Sequence, residues 1–461
     1  MSAEGLEQAR KKMQDADVHP AAIEVFSDFY RQLESGVTGI VHEADISPLD
    51  SPPRLSDLDD DQSAGRAALS VTAMIKVNGG LGTSMGMAQA KSLLPVHGDL
   101  TFLDIIARQV LAARAEWGVP LPVIFMNSFR TRDDTLAALA AYDDLPVGNL
   151  PLDFMQNREP KLRADDLTPV SWPADPSMEW CPPGHGDLYT AFQTSGLLQQ
   201  LLDAGYRFAF MSNSDNLCAT VDARVAGWFA GSGAPFAAEV CRRTPADRKG
   251  GHLAVRASDG GLVLRETAQT APEDEDALAD IGRHRYFNTN NLWVDLRALA
   301  ARLDERNGVL GLPLIRNDKT VDPSNPSSPA VIQVESAMGA AVEVFDGAQA
   351  LEVDRSRFLP VKSTNDLLLL RSDVYEVRDD FLVVQAKPDE KPPVVDLDSE
   401  FYKLVGDFEK RFPMGPPSLK QASSLTVRGD WTFDADVVIQ GDAEVDADGS
   451  PGTVSATSLG R

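Results

Sequence analysis

A glycine-rich segment followed by a lysine is the part of this sequence best suited to chemistry on phosphates. After an apolar run at 73–77, which predicts a short buried strand, the chain carries Gly79, Gly80, Gly82, Gly86 and then Lys91. Glycines adopt positive φ easily and let a ligand approach the backbone closely. Such a turn directs successive N–H groups into one space, which suits an anion, and the lysine adds a positive charge.

Three nucleotide-binding templates compete for this segment. A P-loop requires glycine immediately before Lys-Ser/Thr, and Ala90 occupies that place. A dinucleotide fold requires Gly-x-Gly-x-x-Gly, whereas Gly80, Gly82 and Gly86 are spaced one residue too far, which leaves a nicotinamide-dependent reductase as a weak alternative. A nucleotidyltransferase loop, with glycines first and a lysine later, fits best.

Two further positions carry charge at the ends of apolar runs. Asp215 follows the run 206–211 within an Asn-Ser-Asp-Asn segment, and a carboxylate there suits Mg²⁺, which takes few protein oxygens. Lys362 follows Phe-Leu-Pro-Val and would emerge into a cleft, although a surface lysine is a real alternative. Together with Lys91, these residues could hold two anionic substrates and a metal ion.

Composition limits the class of protein. The chain has 461 residues, a formal charge of −26 and 43% hydrophobic residues, which allows two or three domains with full cores. So acidic a surface repels nucleic acid and anionic membranes. Three cysteines without metal-ligand spacing argue against a disulfide framework or a zinc site. With no signal-type or membrane-spanning stretch, we expect a cytoplasmic protein that binds neither nucleic acid nor membrane.

The pattern of elements predicts an α/β fold. Strand-like apolar runs alternate with amphipathic helices between 69 and about 371, including one helix over 188–204, which indicates a mostly parallel sheet flanked by helices. Ligands in such folds bind beyond the carboxyl ends of the strands. Short alternating runs at 425–445 predict a small β solenoid or a plain meander. Residues 1–18 are expected to fray, and 446–461 to be disordered.

Seven segments, taken in order, resemble a known family. They are Val77-Asn-Gly-Gly-Leu-Gly-Thr-Ser-Met-Gly-Met-Ala-Gln-Ala-Lys-Ser92, Asn127-Ser-Phe-Arg-Thr-Arg-Asp-Asp-Thr135, Phe154-Met-Gln156 with Pro160-Lys161, Pro182-Pro-Gly-His-Gly-Asp-Leu-Tyr189, Ser212-Asn-Ser-Asp-Asn216, Phe287-Asn-Thr-Asn-Asn-Leu-Trp293 and Ser356-Arg-Phe-Leu-Pro-Val-Lys362. They resemble the eukaryotic-type UTP–glucose-1-phosphate uridylyltransferases (UDP-glucose pyrophosphorylases). The order of the segments over about three hundred residues makes the resemblance specific.

The resemblance implies a fold and a reaction. It implies a Rossmann-like nucleotidyltransferase domain with a mostly parallel mixed sheet, at 67–384, after an N-terminal segment at 1–66. Residues 385–461 would form a small left-handed β-helix-like domain ending in the disordered tail. The reaction would be Mg²⁺-dependent transfer of uridylyl from UTP to glucose 1-phosphate, giving UDP-glucose and pyrophosphate. Since no extended assembly segment is visible, we expect a monomer or homodimer.

The resemblance also implies roles for individual residues. The nucleotide would contact Val77, Asn78, Gly79, Gly80, Lys91, Gln156, Gly184, Asn213, Ser214 and Asp215. The sugar phosphate would contact His185, Gly251, Asn290 and Lys362. Lys91 and Lys362 would be catalytic and Asp215 the metal ligand.

The glycine segment departs from the family pattern at one charged position. Ala88 stands where the family has a first lysine, so one cation is missing. A non-catalytic UDP-sugar-binding protein is therefore one alternative. Another is a uridylyltransferase for galactose, glucosamine or N-acetylhexosamine 1-phosphate, because sugar choice depends on hydrogen bonds that the sequence does not locate.

Overall fold

The structure, a computed structural model, describes residues 2–446, 451–455 and 458–460. Its helices are α1 Ser2–Asp15, α2 Pro20–Glu34, α3 Gln62–Leu69, α4 Phe102–Trp117, α5 Arg132–Leu139, α6 Asp187–Thr194, α7 Leu197–Asp203, α8 Ala223–Ser232, α9 Glu275–Ala279, α10 Leu296–Glu305, α11 Thr364–Arg371, α12 Ser399–Tyr402 and α13 Val405–Arg411. None of the helices in the described ranges is long and apolar enough to cross a membrane.

The strands are numbered in chain order. They are β1 Ile46–Pro48, β2 Thr72–Asn78, β3 Pro95–His97, β4 Leu100–Thr101, β5 Val123–Asn127, β6 Asp153–Met155, β7 Glu159–Pro160, β8 Leu162–Arg163, β9 Trp180–Cys181, β10 Phe208–Asn213, β11 Phe236–Arg242, β12 His252–Arg256, β13 Leu262–Arg265, β14 Tyr286–Asp295, β15 Ile315–Thr320, β16 Ala330–Glu335, β17 Gln349–Glu352, β18 Tyr375–Val377, β19 Val383–Gln385, β20 Val394–Leu397, β21 Ser418–Val427, β22 Trp431–Phe433, β23 Val438–Val445, β24 Gly452–Val454 and β25 Ser458–Leu459.

One large mixed sheet organises the molecule. Its strand order is β1-β12-β14-β10-β2-β5-β6, and β11, β13 and β17 join at β14, β12 and β11. The strands β10, β2, β5 and β6 run parallel, whereas β14 runs antiparallel to β10 and β11. Parallel strands need crossovers, which the helices provide. The α/β prediction is therefore confirmed, with β10, β2, β5 and β6 on one side of β14 and the parallel pair β11 and β17 on the other.

Side chains of the central strands divide between two apolar cores. Met74 on β2 packs in one core with residues of α4 and α8, while its neighbour Ile75 packs in the other with residues of α6, α7 and α10. This alternation follows from the two-residue period of a strand that is covered on both faces. A sheet buried on both faces leaves its strand ends as the place where polar groups meet solvent.

The helix predicted over 188–204 is interrupted. The structure has α6 and α7 with Gly196 between them at φ 74°, the left-handed region that glycine enters without strain. The prediction of fraying at 1–18 is also wrong, because α1 is a helix whose Ala9 and Met13 pack against α2. Its polar residues lie on the outer face of an amphipathic helix.

The C-terminal strands pair in parallel. Ser418, Val438 and Ser458 stack in register on β21, β23 and β25, and β22 pairs in parallel with β24. The predicted disorder over 446–461 does not hold for Gly452–Val454 and Ser458–Leu459, which are strands; residues 447–450, 456–457 and 461 lie outside the described residues. Side chains of β21 and β23 belong to the same apolar core as α4.

Candidate functional site

The predicted site residues converge at the carboxyl ends of the parallel strands. The glycine segment follows β2, Gln156 follows β6, and Asp215 follows β10. Because parallel strands point the same way, these ends lie on one edge of the sheet. A cavity of about 400 Å³ opens beside this edge. The sequence prediction of a ligand site here fits the geometry.

Hydrogen bonds from two neighbouring strands fix the start of the glycine segment. Asn78 Nδ2 donates to Asn127 Oδ1 at 2.8 Å and to Thr135 Oγ1 at 2.9 Å. Ser128 Oγ donates to the Gly79 carbonyl at 2.9 Å. Asn78 is therefore a buried support of the segment, which turns the backbone of the following glycines toward open space.

A side chain at either of two glycines of the segment would crowd a neighbouring side chain. A Cβ on Gly79 would lie 2.5 Å from Gln156 Oε1, closer than real atoms approach, whereas one on Gly80 would meet nothing within 4 Å. Farther along, Gly86 has a φ of 75°, and a Cβ there would lie 3.1 Å from Leu404 Cδ2. The C-terminal part of the chain thus packs directly against the glycine segment.

Gln156 lies between the glycine segment and the turn that contains Gly184. Its backbone N–H donates to the Asn127 carbonyl at 2.7 Å, and its Nε2 donates to the Gly184 carbonyl at 3.2 Å. Gly184 has a φ of 77°, and a Cβ there would lie 2.6 Å from the Ser336 carbonyl oxygen. These two residues, both predicted to contact the nucleotide, are therefore neighbours, with a carboxamide available for paired hydrogen bonds.

Lys91 and Asp215 form an ion pair across the site. Lys91 Nζ lies 2.8 Å from Asp215 Oδ2 and also donates to the Val361 carbonyl, next to Lys362. The backbone N–H of Val361 in turn bonds the Asp215 carbonyl at 3.1 Å. The sequence placed Lys91, Asp215 and Lys362 in one site, and the structure brings their segments into contact.

The cavity collects most of the residues predicted to bind the sugar phosphate. His185, Gly251, Asn290 and Lys362 all line it, together with Asn213 and Asp215. Ser214 differs from these, since it is buried, its N–H bonds the Val77 carbonyl at 3.1 Å, and its Oγ has no partner within the described ranges. The hydrogen bond between Ser214 and Val77 therefore holds the ends of β10 and β2 together.

His185 is held as a neutral hydrogen-bond donor. Its Nδ1 accepts the Met338 N–H at 2.9 Å, which leaves the proton of the neutral ring on Nε2. Burial lowers the pKa of His185 to about 4, so the ring is uncharged at neutral pH. A half-buried neutral ring in the cavity wall suits binding rather than general base catalysis.

Asn290 occupies a constrained backbone position. Its φ is 58°, the left-handed region that asparagine tolerates better than most residues. Asn288 Nδ2 donates to Asn290 Oδ1 at 2.9 Å, and the Asn290 N–H donates to Asn288 Oδ1 at 3.2 Å. These two bonds fix the carboxamide of Asn290 at the cavity wall, where its remaining groups suit hydroxyls.

Several cavity residues were not singled out by the sequence analysis as site residues. Glu266, Glu335 and Lys249 all line the cavity. Burial raises the pKa of Glu266, opposed by the positive charge of Lys362, and burial also raises the pKa of Glu335. The carboxyl of Glu266 lies against Gly251, since a Cβ there would be 2.4 Å from Oε2. Neither glutamate stands in a recognisable local pattern, so only the fold reveals it.

A buried ion pair beneath the site joins its two charged segments. Arg357 bonds Glu239 through Nε at 2.8 Å and Nη2 at 2.7 Å, and Trp293 Nε1 also donates to Glu239 at 3.0 Å. Asn216 Nδ2 donates to the Arg357 carbonyl at 3.2 Å, and its Oδ1 accepts the Leu359 N–H at 2.9 Å. This network fixes the segment around Asp215 against the segment that ends at Lys362.

The side chains at the site limit which metal ion could bind there. In the part of the chain that the structure describes, no three His, Cys, Asp or Glu side chains form a ligand cluster. Asp215 alone offers a partly exposed carboxylate beside Lys91. A single carboxylate excludes a structural zinc site but suits Mg²⁺, which keeps several waters and takes other oxygens from phosphates.

Known proteins resemble this chain over most of its length. A profile of the UTP–glucose-1-phosphate uridylyltransferase family matches residues 23–440. The UTP–glucose-1-phosphate uridylyltransferase of Solanum tuberosum is 36% identical over 433 residues, which cover 91% of this chain and 88% of the plant protein.

Solved structures agree over nearly the whole chain. A UDP-glucose phosphorylase from Trypanosoma brucei has 43% identity and a TM-score of 0.92, covering 99% of this chain and 98% of its own. A mutant UDP-glucose pyrophosphorylase from Leishmania major, in complex with UDP-glucose, has 42% identity and a TM-score of 0.93 at the same coverage. The resemblance of the seven sequence segments is thereby confirmed, and the chain belongs to the UTP–glucose-1-phosphate uridylyltransferase family.

Proposed function

We propose that this protein transfers uridylyl from UTP to glucose 1-phosphate, giving UDP-glucose and pyrophosphate. The observation that carries the proposal is the cavity at the strand ends, lined by Asp215 and Lys362 and with Lys91 paired to Asp215, in a chain that belongs to this family. The sugar phosphate is already an anion, so no activated serine or cysteine is needed. An oxygen of the sugar phosphate attacks the α-phosphorus of UTP, and the bond to pyrophosphate breaks.

Catalysis rests on neutralising and orienting two polyanions. The open face of Gly80 and the ammonium group of Lys91 would hold the triphosphate, while Gln156 and Gly184 would pair with the uracil. Lys362 would hold the attacking phosphate, and His185 and Asn290 would bind the sugar side. Such positioning and charge stabilisation account for most of phosphoryl-transfer catalysis.

The ion pair between Lys91 and Asp215 suggests how the site receives its substrate. Each charge neutralises the other at 2.8 Å. We infer that Asp215, with Asn213 beside it, would hold Mg²⁺, and that the ammonium group of Lys91 would then be available to the phosphates. The metal ion would supply charge neutralisation at the reacting phosphates. The carboxylate of Asp215 and its partial exposure support this assignment.

The experiment that tests the function is pyrophosphate release from UTP and Mg²⁺ with a panel of sugar 1-phosphates. We expect a strong response to glucose 1-phosphate that EDTA abolishes. A stronger response to the galactose, glucosamine or N-acetylhexosamine phosphate would reassign the sugar. Binding of UDP-glucose without any release of pyrophosphate would contradict the proposal and would direct attention to Ala88, the position that lacks the family lysine.

We infer that the chain is organised as an N-terminal segment at 1–66, a catalytic domain at 67–384 and a left-handed β-helix-like domain at 385–461. The parallel register of β21, β23 and β25 supports the last of these. We also infer a cytoplasmic monomer or homodimer. Its formal charge of −26 supports the inference that it binds neither nucleic acid nor an anionic membrane surface.

A further inference from the structure

A buried cluster of charged and imidazole side chains lies behind the wall of the cavity. Glu43, from the N-terminal segment, lies 2.8 Å from Arg265 Nη2 and 2.6 Å from Arg283 Nε. Both of its oxygens lie 3.1 Å from His284 Nε2. Burial raises the pKa of Glu43, but the hydrogen bonds of His284 and Arg283 outweigh it and lower the pKa. One carboxylate therefore serves three cationic or imidazole partners.

Two histidines complete this Glu43 cluster. Arg265 Nε donates to His252 Nε2 at 3.0 Å, and the rings of His252 and His284 stack with centroids 4.0 Å apart. Arg265, His252 and His284 are all fully buried. Among the described residues, the only carboxylate within ion-pair distance of Arg265 is that of Glu43. Without it, a guanidinium charge would be buried beside two rings with nothing to neutralise it.

The cluster and the cavity share two strands. His252 on β12 pairs directly with Arg265 on β13, and both side chains lie on one face of the sheet. The adjacent residues, Gly251 and Glu266, line the cavity. Gly251 directly precedes β12 and Glu266 directly follows β13, so the positions of His252 and Arg265 constrain where Gly251 and Glu266 stand. The cluster and the cavity are therefore one residue apart along the chain at the end of each strand.

We propose that Glu43 is a positioning residue for the sugar side of the site. It acts through Arg265 and His252 on the wall formed by Glu266 and Gly251. The proposal rests on the sugar phosphate binding in this cavity, as proposed above. It gives the N-terminal segment, which contributes no residue to the cavity lining, a defined effect on the affinity for one of the two substrates.

The test is a comparison of Michaelis constants in Glu43→Gln. We expect the KM for glucose 1-phosphate to rise at least fivefold, with the KM for UTP within twofold of the unchanged protein. Adding Arg265→Met to this variant removes the uncompensated charge and should reverse part of the rise in the KM for glucose 1-phosphate. The matched control is Glu24→Gln, which breaks another N-terminal ion pair, with Arg10 at 2.6 Å, far from the cavity. It should leave both constants unchanged.

Three outcomes would overturn the proposal. They are an unchanged KM for glucose 1-phosphate in Glu43→Gln, an equal rise for both substrates, and the same rise in Glu24→Gln. If Glu43→Gln does not yield folded protein, Glu43→Asp, which keeps the charge but shortens the reach, is compared in the same way. Glu266→Gln distinguishes an error in the assignment of the cavity from an error in the proposed reaction. An unchanged sugar-phosphate KM in that variant refutes the cavity assignment, whereas absence of pyrophosphate release in the unchanged protein refutes the proposed reaction.

Discussion

Replacing Lys362 with alanine tests the electrostatic account of catalysis most directly. The Lys362 side chain is exposed, its Nζ lies 5.7 Å from the centroid of the Phe287 ring, and no carboxylate in the described residues is within ion-pair distance of it. Its charge is therefore available to a substrate phosphate. The hydrogen bond of its backbone N–H to Asp366 Oδ2, at 2.8 Å, does not depend on the side chain.

The expected loss follows from the strength of a charged hydrogen bond. Such a bond contributes about 1.5–3 kcal/mol. Since about 1.4 kcal/mol corresponds to a factor of ten, Lys362→Ala should lower the rate by roughly 10- to 150-fold. If the bond strengthens as charge develops in the transition state, the loss appears in kcat as well as in KM.

The assay is steady-state pyrophosphate release at saturating Mg²⁺, with urea unfolding to check the fold. Lys410→Ala is the matched control, because Lys410 is an exposed lysine whose one ion-pair partner among the described residues is Asp407 on the same helix, at 2.9 Å. Both variants should unfold at the same urea concentration as the unchanged protein. A rate for Lys362→Ala within twofold of the control would refute the assignment of this lysine.

Three further changes test other parts of the site. Asp215→Asn should raise the Mg²⁺ concentration for half-maximal rate more than about tenfold, a binding loss of about 1.4 kcal/mol, in a metal titration; an unchanged titration would contradict the metal assignment. Arg357→Met leaves the Glu239 carboxylate unpaired in the interior and should lower the free energy of unfolding by about 3–5 kcal/mol in urea, an effect that Glu239→Leu in the same chain should largely reverse. Burial lowers the pKa of His185 to about 4 from 6.5, so only the unfolded chain gains this proton between those values. The contribution of His185 to the free energy of unfolding is thus fully present above pH 6.5, and it falls by up to about 3 kcal/mol toward pH 4. In urea unfolding at pH 7 and pH 5, His185→Gln should reduce the difference between the two free energies.

The sequence identifies those parts of the site that depend on local patterns. The glycines after β2 and the carboxylate after β10 stand at strand ends, where a fold of this class brings ligands. A charged side chain at such a strand end rarely stabilises the fold. The order of the strands along the chain is therefore enough to assign these side chains to one cavity. Regular spacing likewise predicts short strands at 425–445, but it leaves open whether they pair in parallel, as β21 and β23 do.

Contacts between distant charged residues are what the sequence does not reveal. Glu239 and Arg357 are 118 positions apart, and nothing near either residue indicates that both are buried. Glu43 and Arg265 pose the same problem, because an isolated charge in a sequence predicts exposure. The side chain of Ser214 is buried, which its position just after a strand does not indicate, and its contact with the nucleotide stays a prediction.

The contact of Leu404 with Gly86 has a consequence for the order in which the molecule is made. The glycine segment emerges early in synthesis, whereas the residue that packs against it comes near the end of the chain. Domains form largely as they leave the ribosome. A nascent chain halted before Leu404 would thus carry the segment uncovered on one side. The complete nucleotide site would form only after the C-terminal strands have folded.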